Sequence, residues 1–293
     1  MAVFSEISES LRYLFADIIG EQDDSIPNLP PGLPESVVPA ASEAIHLLIE
    51  YQGTAYARLY VERLKRFVGR RGVDDAMLLD IARLMAMRMS YEDAIRIAQL
   101  KLLELDADPN TPRADDVRKL RLDELVEALP AVAAEPILDV LDWLGWTHKR
   151  VKVRFSTASR FSIRRLKIEA ALRRWRRYSI RYAKERNWVE RWLHMIDRAL
   201  TRQPAAASAI VKTATMVQGY GDAYRHGLAD WHAIVDGLVK PTFDGLLRLP
   251  DLAGAVAEAR SAAMPDPRQA ALTRKIAEIR ARATMPGADA AAE

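Results

Sequence analysis

The chain has 293 residues, of which 49% are hydrophobic and 28% charged, and a net charge of +3. This suits one large or two small globular domains, and no run of about 18 apolar residues is present to form a membrane span. It contains no cysteine, which excludes disulfides, thiolate metal sites and cysteine-held iron–sulfur clusters.

Phe4, Ile7, Leu11, Leu14, Phe15 and Ile18 recur at helical spacing and predict a short amphipathic helix with acidic flanks over residues 3–19. The start lacks the basic residues and cleavage site of a secretory signal, so a cytoplasmic location is expected. Pro27, Pro30, Pro31, Pro34 and Pro39 then favour an extended linker. Residues 1–40 read as a strap over the chain's own domain or as an arm that docks on another chain.

A helical domain is expected over residues 41–267. Its first helix runs from Ala41 to about residue 72, capped by Ser42, with Ile45, Leu48, Ile49, Tyr56, Leu59, Tyr60 and Leu64 inward. Gly53 inside it costs about 1 kcal/mol against alanine and could admit a second backbone. Asp74 and Asp75 open the next helix. Ser90 and Asp93 approximate a capping box for a third, with Ala94, Ile97, Ala98 and Leu102 inward. Residues 106–116 read as a loop, and RLDELVEAL and AEPILDVLDWLGW as short helices separated at Pro130. KRVKVRF, residues 149–155, alternates charged and apolar residues, which predicts an extended segment or a minor hairpin.

Ser159–Leu200 reads as one long basic amphipathic helix. Ile168, Ala171, Leu172, Trp175, Tyr178, Tyr182, Val189, Leu193, Ile196 and Leu200 form its apolar stripe. Lys167, Arg173, Arg174, Arg177, Arg181 and Lys184 fall opposite. From His148 to Arg191 there are 16 Lys/Arg against 3 Asp/Glu. Such a field attracts acidic partners and weakens with salt. It also fits a solvated face, or pairing with acidic segments of the same chain.

Residues 205–217 read as a further helix. Gly219, Gly221 and Gly227 interrupt the pattern, and Asp230 is the expected cap of a stripe made by Trp231, Ile234, Val235, Leu238 and Val239 and ending at Pro241. Helices are expected over 251–263 and 268–283, the latter within a C-terminal segment 268–293 whose end is a disordered tail. With about ten helices and almost no strand, the fold class is all-α.

Two groups are candidates for binding. Arg154, Ser156, Thr157, Ser159 and Arg160 precede a helix N-terminus, where free N–H groups and the dipole favour an anion. With Arg173, Arg174, Arg176 and Arg177 they make the expected anion- or partner-binding set, although hydroxyl capping and surface arginines would look the same. Gly219, Tyr220, Gly221, Asp222, Tyr224, Arg225 and His226 could line a pocket or form an ordinary helix connection. His226 as a general base lacks an identifiable partner. No dinucleotide, P-loop or nucleophile-elbow motif occurs, and His46, His148, His194, His226 and His232 lack metal-ligand spacing. No catalytic residue and no metal ligand are assigned. The aromatics of the basic helix sit on its apolar stripe, which argues against base stacking.

Four phrases, IEYQGTAYARLYVERL at 49–64, ARLMAMRMSYEDAIRIAQLK at 82–101, RRWRRYSIRYAKERNWVERWL at 173–193 and QGYGDAYRHGLADWHAIVDGLV at 218–239, together resemble the helical C-terminal region of the beta subunit of indolepyruvate ferredoxin oxidoreductase. The resemblance runs in order over roughly residues 42–267 and implies an accessory subunit. Thiamine diphosphate and iron–sulfur clusters would then belong to partner subunits, with no cofactor in this chain. The family's usual N-terminal α/β domain has no counterpart in the sequence. The expected partners are other 2-oxoacid oxidoreductase subunits or an anionic ligand such as coenzyme A, with a nucleic-acid or polyanion-binding module as the alternative.

Overall fold

The computed structural model describes residues 25–107, 115–263 and 269–284. The amphipathic helix predicted at 3–19 and the C-terminal tail lie outside them. The described chain is predominantly helical, with one two-stranded sheet. In chain order it comprises α1 (Val38–Tyr51), α2 (Thr54–Lys65), α3 (Asp75–Met89), α4 (Ala94–Ala107), β1 (Asp115–Arg121), α5 (Leu122–Glu127) and α6 (Ala131–Trp143). Then come β2 (Arg150–Ser156), α7 (Arg160–Ala171), a 3₁₀ segment (Leu172–Tyr178), α8 (Ile180–Arg202), α9 (Ala207–Val211) and a 3₁₀ turn (Lys212–Met216). The last are α10 (Gly221–Ile234), a π-helical turn (Val235–Val239), α11 (Lys240–Phe243), α12 (Leu252–Ala262) and α13 (Ala270–Thr284). Among the described residues no helix is long and apolar enough to cross a membrane.

Several predicted boundaries move, each for a local reason. The helix predicted from Ala41 to residue 72 starts earlier, so Ser42 lies inside α1, and it breaks at Gly53, whose φ of +117° only glycine adopts easily. Asp93, not Ser90, caps α4: its Oδ1 accepts from the Arg96 backbone N–H at 2.6 Å. Asp230 is no cap; it lies within α10 and accepts from Gln269 Nε2 at 2.7 Å. The predicted helix end at Pro241 also shifts, because a proline at a helix start removes no needed donor.

The long basic helix is the largest correction. Instead of one rod from Ser159 to Leu200, the structure has α7, the 3₁₀ segment, an extended break at Ser179 (ψ 150°) and α8. Ser179 ends one helical piece and caps the next. Its Oγ donates to the Arg176 carbonyl at 2.7 Å and accepts from the Tyr182 N–H at 3.1 Å. The predicted stripe therefore holds only in α8, where Val189, Leu193, Ile196 and Leu200 are buried. Ile168 and Leu172 are exposed, and Leu166 takes the inward position on α7.

The described chain divides into two compact units. The first comprises residues 25–27, 46–59, 90–107 and 115–187; the second comprises 28–45, 60–89, 188–263 and 269–284. In the second, Trp188 stacks on Trp192 at 6.1 Å and tilts against Trp231 at 5.0 Å. Trp192 Nε1 donates to the Ile210 and Val211 carbonyls, both at 3.3 Å, and Trp231 Nε1 donates to Thr213 Oγ1 at 3.0 Å. The buried indoles of Trp192 and Trp231 thereby keep their N–H groups satisfied where α9 gives way to the 3₁₀ turn.

Arg191 reaches both His232, at 2.9 Å from Nδ1, and the Asp236 carboxylate. Burial, then the Arg191 charge, pull the His232 pKa below its ordinary 6.5, and Asp236 only partly opposes them. A depressed histidine pKa means that the unfolded state takes up the proton first. The stability of this unit is thus expected to fall as pH drops below 6.5. Urea midpoints recorded from pH 7.5 downward should show a slope that His232→Gln flattens.

Candidate partner-binding surface

All nine residues predicted to bind an anion or partner lie in the first unit. KRVKVRF does form a strand, β2, and it pairs antiparallel with β1 over Asp115–Arg121. The sequence reading missed β1, placing its start in a loop. The register sets Lys119 opposite Lys152, Arg121 opposite Arg150 and Val117 opposite Arg154. Side chains alternate across a strand, so Lys119, Arg121, Arg150, Lys152 and Arg154 share one face of the ribbon. Lys119, Arg150, Lys152 and Arg154 are exposed. On the other face Leu120 and Phe155 are buried. Like charges directly opposite one another destabilise a ribbon, so this face concentrates positive potential at a cost to the pair. At one end Asp123 pairs with Arg121, with contacts of 2.8 and 3.1 Å.

The hydroxyls of the expected anion cradle are committed elsewhere. Ser159 Oγ accepts from the Ser162 N–H at 3.1 Å as the α7 cap and lies 2.9 Å from the Ser162 hydroxyl. Ser156 is buried, and its Oγ accepts from the Ala158 N–H at 3.2 Å. Thr157 is half-buried. The Arg154 carbonyl accepts from Arg165 Nη2 at 2.9 Å, while the Arg154 and Arg160 side chains point outward. Capping and turn contacts therefore occupy the Ser156 and Ser159 hydroxyls.

The four arginines of the 3₁₀ segment separate into two pairs. At three residues per turn, positions i and i+3 eclipse, so Arg173 aligns with Arg176 and Arg174 with Arg177. The first pair faces inward. Arg173 Nη1 donates to the Glu50 carbonyl and Arg176 Nη1 to the Tyr51 carbonyl, each at 2.8 Å. These are the last carbonyls of α1, where donors are missing and cations are favoured.

Arg176 is 1% exposed and grips Asp93 with two contacts, 2.8 and 3.0 Å, while its guanidinium lies 3.8 Å from the Tyr51 ring centroid. Burial disfavours its charge, but Tyr51 and Asp93 outweigh that and hold its pKa above the ordinary arginine value. Arg176 is thus an internal strut and not a surface ligand-binder, which corrects the sequence reading. Arg181, predicted on the cationic face, is also buried and pairs with Glu185 at 2.9 Å. Arg174 remains exposed, and Arg177 lies 4.7 Å from the Tyr178 ring centroid.

The open positive surface has moved to the ribbon and α7. An apolar surface adjoins it. On α6, Ala134 is buried and Leu138 and Leu141 are half-buried, and they form the packed side. Ile137, Val140 and Leu144, at steps of three and four, form a second, open apolar face beside Trp143, which is 84% exposed. The tight turn at Gly145 leads from this face to Trp146 and into β2, and Lys149 Nζ lies 3.9 Å from the Trp146 ring centroid. Most exposed large apolar side chains of the described residues fall between Val117 and Leu172. The signal in the sequence was two apolar faces on one short helix.

The Gly219–His226 candidates belong to the second unit. There Tyr224 is buried beneath Arg88, whose guanidinium lies 5.8 Å from the Tyr224 ring centroid and 4.9 Å from the Trp188 ring centroid. Arg88 Nη1 also donates to the Val217 carbonyl at 2.6 Å. Tyr220, Gly221, Asp222, Arg225 and His226 are half-buried, and Gly219 is exposed. The loop is a packed helix junction. Among the described residues no group of three or more His, Asp or Glu side chains could hold a metal ion.

A family described as of unknown function (DUF6537) matches residues 37–237. No curated protein and no solved structure matches the chain.

Proposed function

Because the chain belongs to the DUF6537 family, whose function is unknown, we propose its role from its own residues: a non-catalytic accessory subunit that docks an acidic partner in a 2-oxoacid oxidoreductase complex of the indolepyruvate type. The observation that carries the docking role is the junction of two open surfaces in one unit. The apolar face of α6 meets the cationic ribbon at the 145–150 turn. An apolar centre beside a charged rim is the anatomy of a protein interface. The oxidoreductase assignment rests on the four phrases at 49–64, 82–101, 173–193 and 218–239, the first three of which fall inside the matched interval. In that role the thiamine and iron–sulfur chemistry stays with partner chains.

Affinity purification of the full chain from its native lysate tests this. A thiamine-dependent oxidoreductase subunit should co-elute, and Trp143→Asp or the pair Lys119→Glu and Lys152→Glu should abolish its recovery. Co-elution that survives all of these substitutions sinks the surface, and recovery of unrelated proteins sinks the complex.

The ribbon also supports a second reading, a nucleic-acid or polyanion-binding module, since Trp146 is exposed amid Lys149, Arg150 and Lys152. Binding to single-stranded DNA or RNA measured at two salt concentrations separates the two. A steep salt slope, lost in the Lys119→Glu and Lys152→Glu chain, favours the module.

A further inference from the structure

Helix α7, in the first unit, carries a surface that the proposed assembly does not use. Leu166 is buried and Ile163, Glu169 and Ala170 are half-buried on its packed side. Phe161 (80% exposed), Ile168 (60%) and Leu172 (40%), the last just beyond the helix end, make an open apolar strip within an arc of about 40°. Beside it Arg160, Arg164 and Lys167, at steps of four and three, make an exposed cationic strip.

The charge of this surface is uncompensated. Glu169 is the only carboxylate between His148 and Lys184. It lies toward the packed side, and its Oε1 accepts from Arg165 Nε at 2.7 Å. No carboxylate of the described residues pairs with Arg160, Arg164 or Lys167. One occupant must therefore supply anionic groups for the cations and an apolar medium for Phe161, Ile168 and Leu172. A nucleic acid supplies the first but leaves the aliphatic side chains in water, since Ile168 and Leu172 offer no ring on which a base could stack. An anionic phospholipid surface supplies both in one plane. Its headgroup phosphates meet guanidinium and ammonium groups, and the acyl boundary just beneath receives the apolar tips.

We propose that α7 is an interfacial helix that seats the first unit on an anionic phospholipid surface, with Phe161, Ile168 and Leu172 inserted and Arg160, Arg164 and Lys167 at the headgroups. The packed side keeps the helix on its unit while the outward side lies in the interface. None of the α6 residues, and neither Lys119 nor Lys152, takes part. The seat and the assembly role are thus tested by different variants, and either can fail alone.

The test uses the purified full chain and vesicles of phosphatidylcholine, alone or in equal parts with phosphatidylglycerol. The chain should float with the mixed vesicles and not with phosphatidylcholine alone, and raised salt should weaken flotation. Phe161→Ser with Ile168→Ser should lower the partition coefficient about thirtyfold. Arg160→Gln with Arg164→Gln and Lys167→Gln should lower it about a hundredfold. These positions are exposed, so urea midpoints should stay close to that of the parent. Because the chain has no cysteine, Ile168→Cys can carry a single nitrobenzoxadiazole label. Its emission should rise and shift to the blue on mixed vesicles, and lipids brominated in the acyl chain should quench it. A label at exposed Ala183 (Ala183→Cys) should not respond.

Absence of flotation overturns the seat. Flotation that survives Phe161→Ser with Ile168→Ser, or a label at 168 that brominated chains leave unquenched, means attraction through charge alone and overturns it too. Release by soluble glycerol phosphate, at the concentration of the lipid headgroups, would mark a site for free phosphate instead. A label at 168 that responds to single-stranded RNA and not to vesicles assigns the cations to nucleic acid. One that responds to protein concentration without vesicles places a second copy on α7. Each of these three results also overturns the seat.

Discussion

Asp93→Ala is expected to lower the stability of the first unit by about 3–5 kcal/mol, the range found when one member of a buried ion pair is removed. The size follows from what is left behind. Arg176 would keep its position at 1% exposure and its hydrogen bond to the Tyr51 carbonyl, but would lose both contacts to a carboxylate. A guanidinium cannot shed its charge at any accessible pH. The α4 cap would go too, since Asp93 Oδ1 also accepts from the Arg96 N–H, adding about 1 kcal/mol. Arg176→Met should cost less, because methionine can fill the site without a charge. The double variant Asp93→Ala, Arg176→Met should recover a large part of the loss. Urea midpoints for the four chains, combined as a double-mutant cycle, measure the coupling. Additive losses would show that the pair contributes nothing beyond its separate contacts.

The second large effect is Gly227→Ala. A Cβ at this position in α10 would lie 2.0 Å from the Met216 carbonyl oxygen and 3.3 Å from the Val217 Cα. The obstruction is backbone, so no rotamer change relieves it, and α10 would have to lift from the 3₁₀ turn at Lys212–Met216. That movement would disturb the Trp231 bond to Thr213. The expected cost is about 3 kcal/mol or more, at the upper end for overpacking. It should appear as a lower melting temperature and faster amide exchange across 207–234. Gly219→Ala gives the comparison. Nothing lies within 4 Å of its Cβ position, and only its φ of +70° opposes alanine, so about 1 kcal/mol is expected. Equal losses at the two positions would contradict the close approach.

Much of the helical layout was legible because the apolar period is a local signal. Helix α12 falls at Leu252–Ala262 against an expected 251–263, and the Trp231–Val239 stripe is fully buried, both close to expectation. What escaped was long-range. The basic helix read as continuous because every residue from Ser159 to Leu200 tolerates a helix; the break at Ser179 goes with a tightened turn that brings Arg173 and Arg176 onto the end of α1. Periodicity cannot foresee that a charged residue will cap a helix more than 120 residues earlier in the chain. For the same reason Arg173 was placed on the cationic face and Arg176 in the binding set. The ribbon was half legible: β2 showed its alternation, but β1 has only one apolar pair, Val117 and Leu120, to signal a strand, and the two are of opposite parity. The exposed face of α6 was hidden because a wheel alone does not tell which of two apolar sides finds a neighbour.

The tight segment Leu172–Tyr178 has a further consequence for how this chain can vary. Two guanidinium groups three positions apart meet two adjacent carbonyls, so their fit depends on the rise of one short coil. Inserting or deleting a single residue there would swing both off target together. Length, more than composition, is then the property this stretch must keep, while the outward Arg174 is open to substitution.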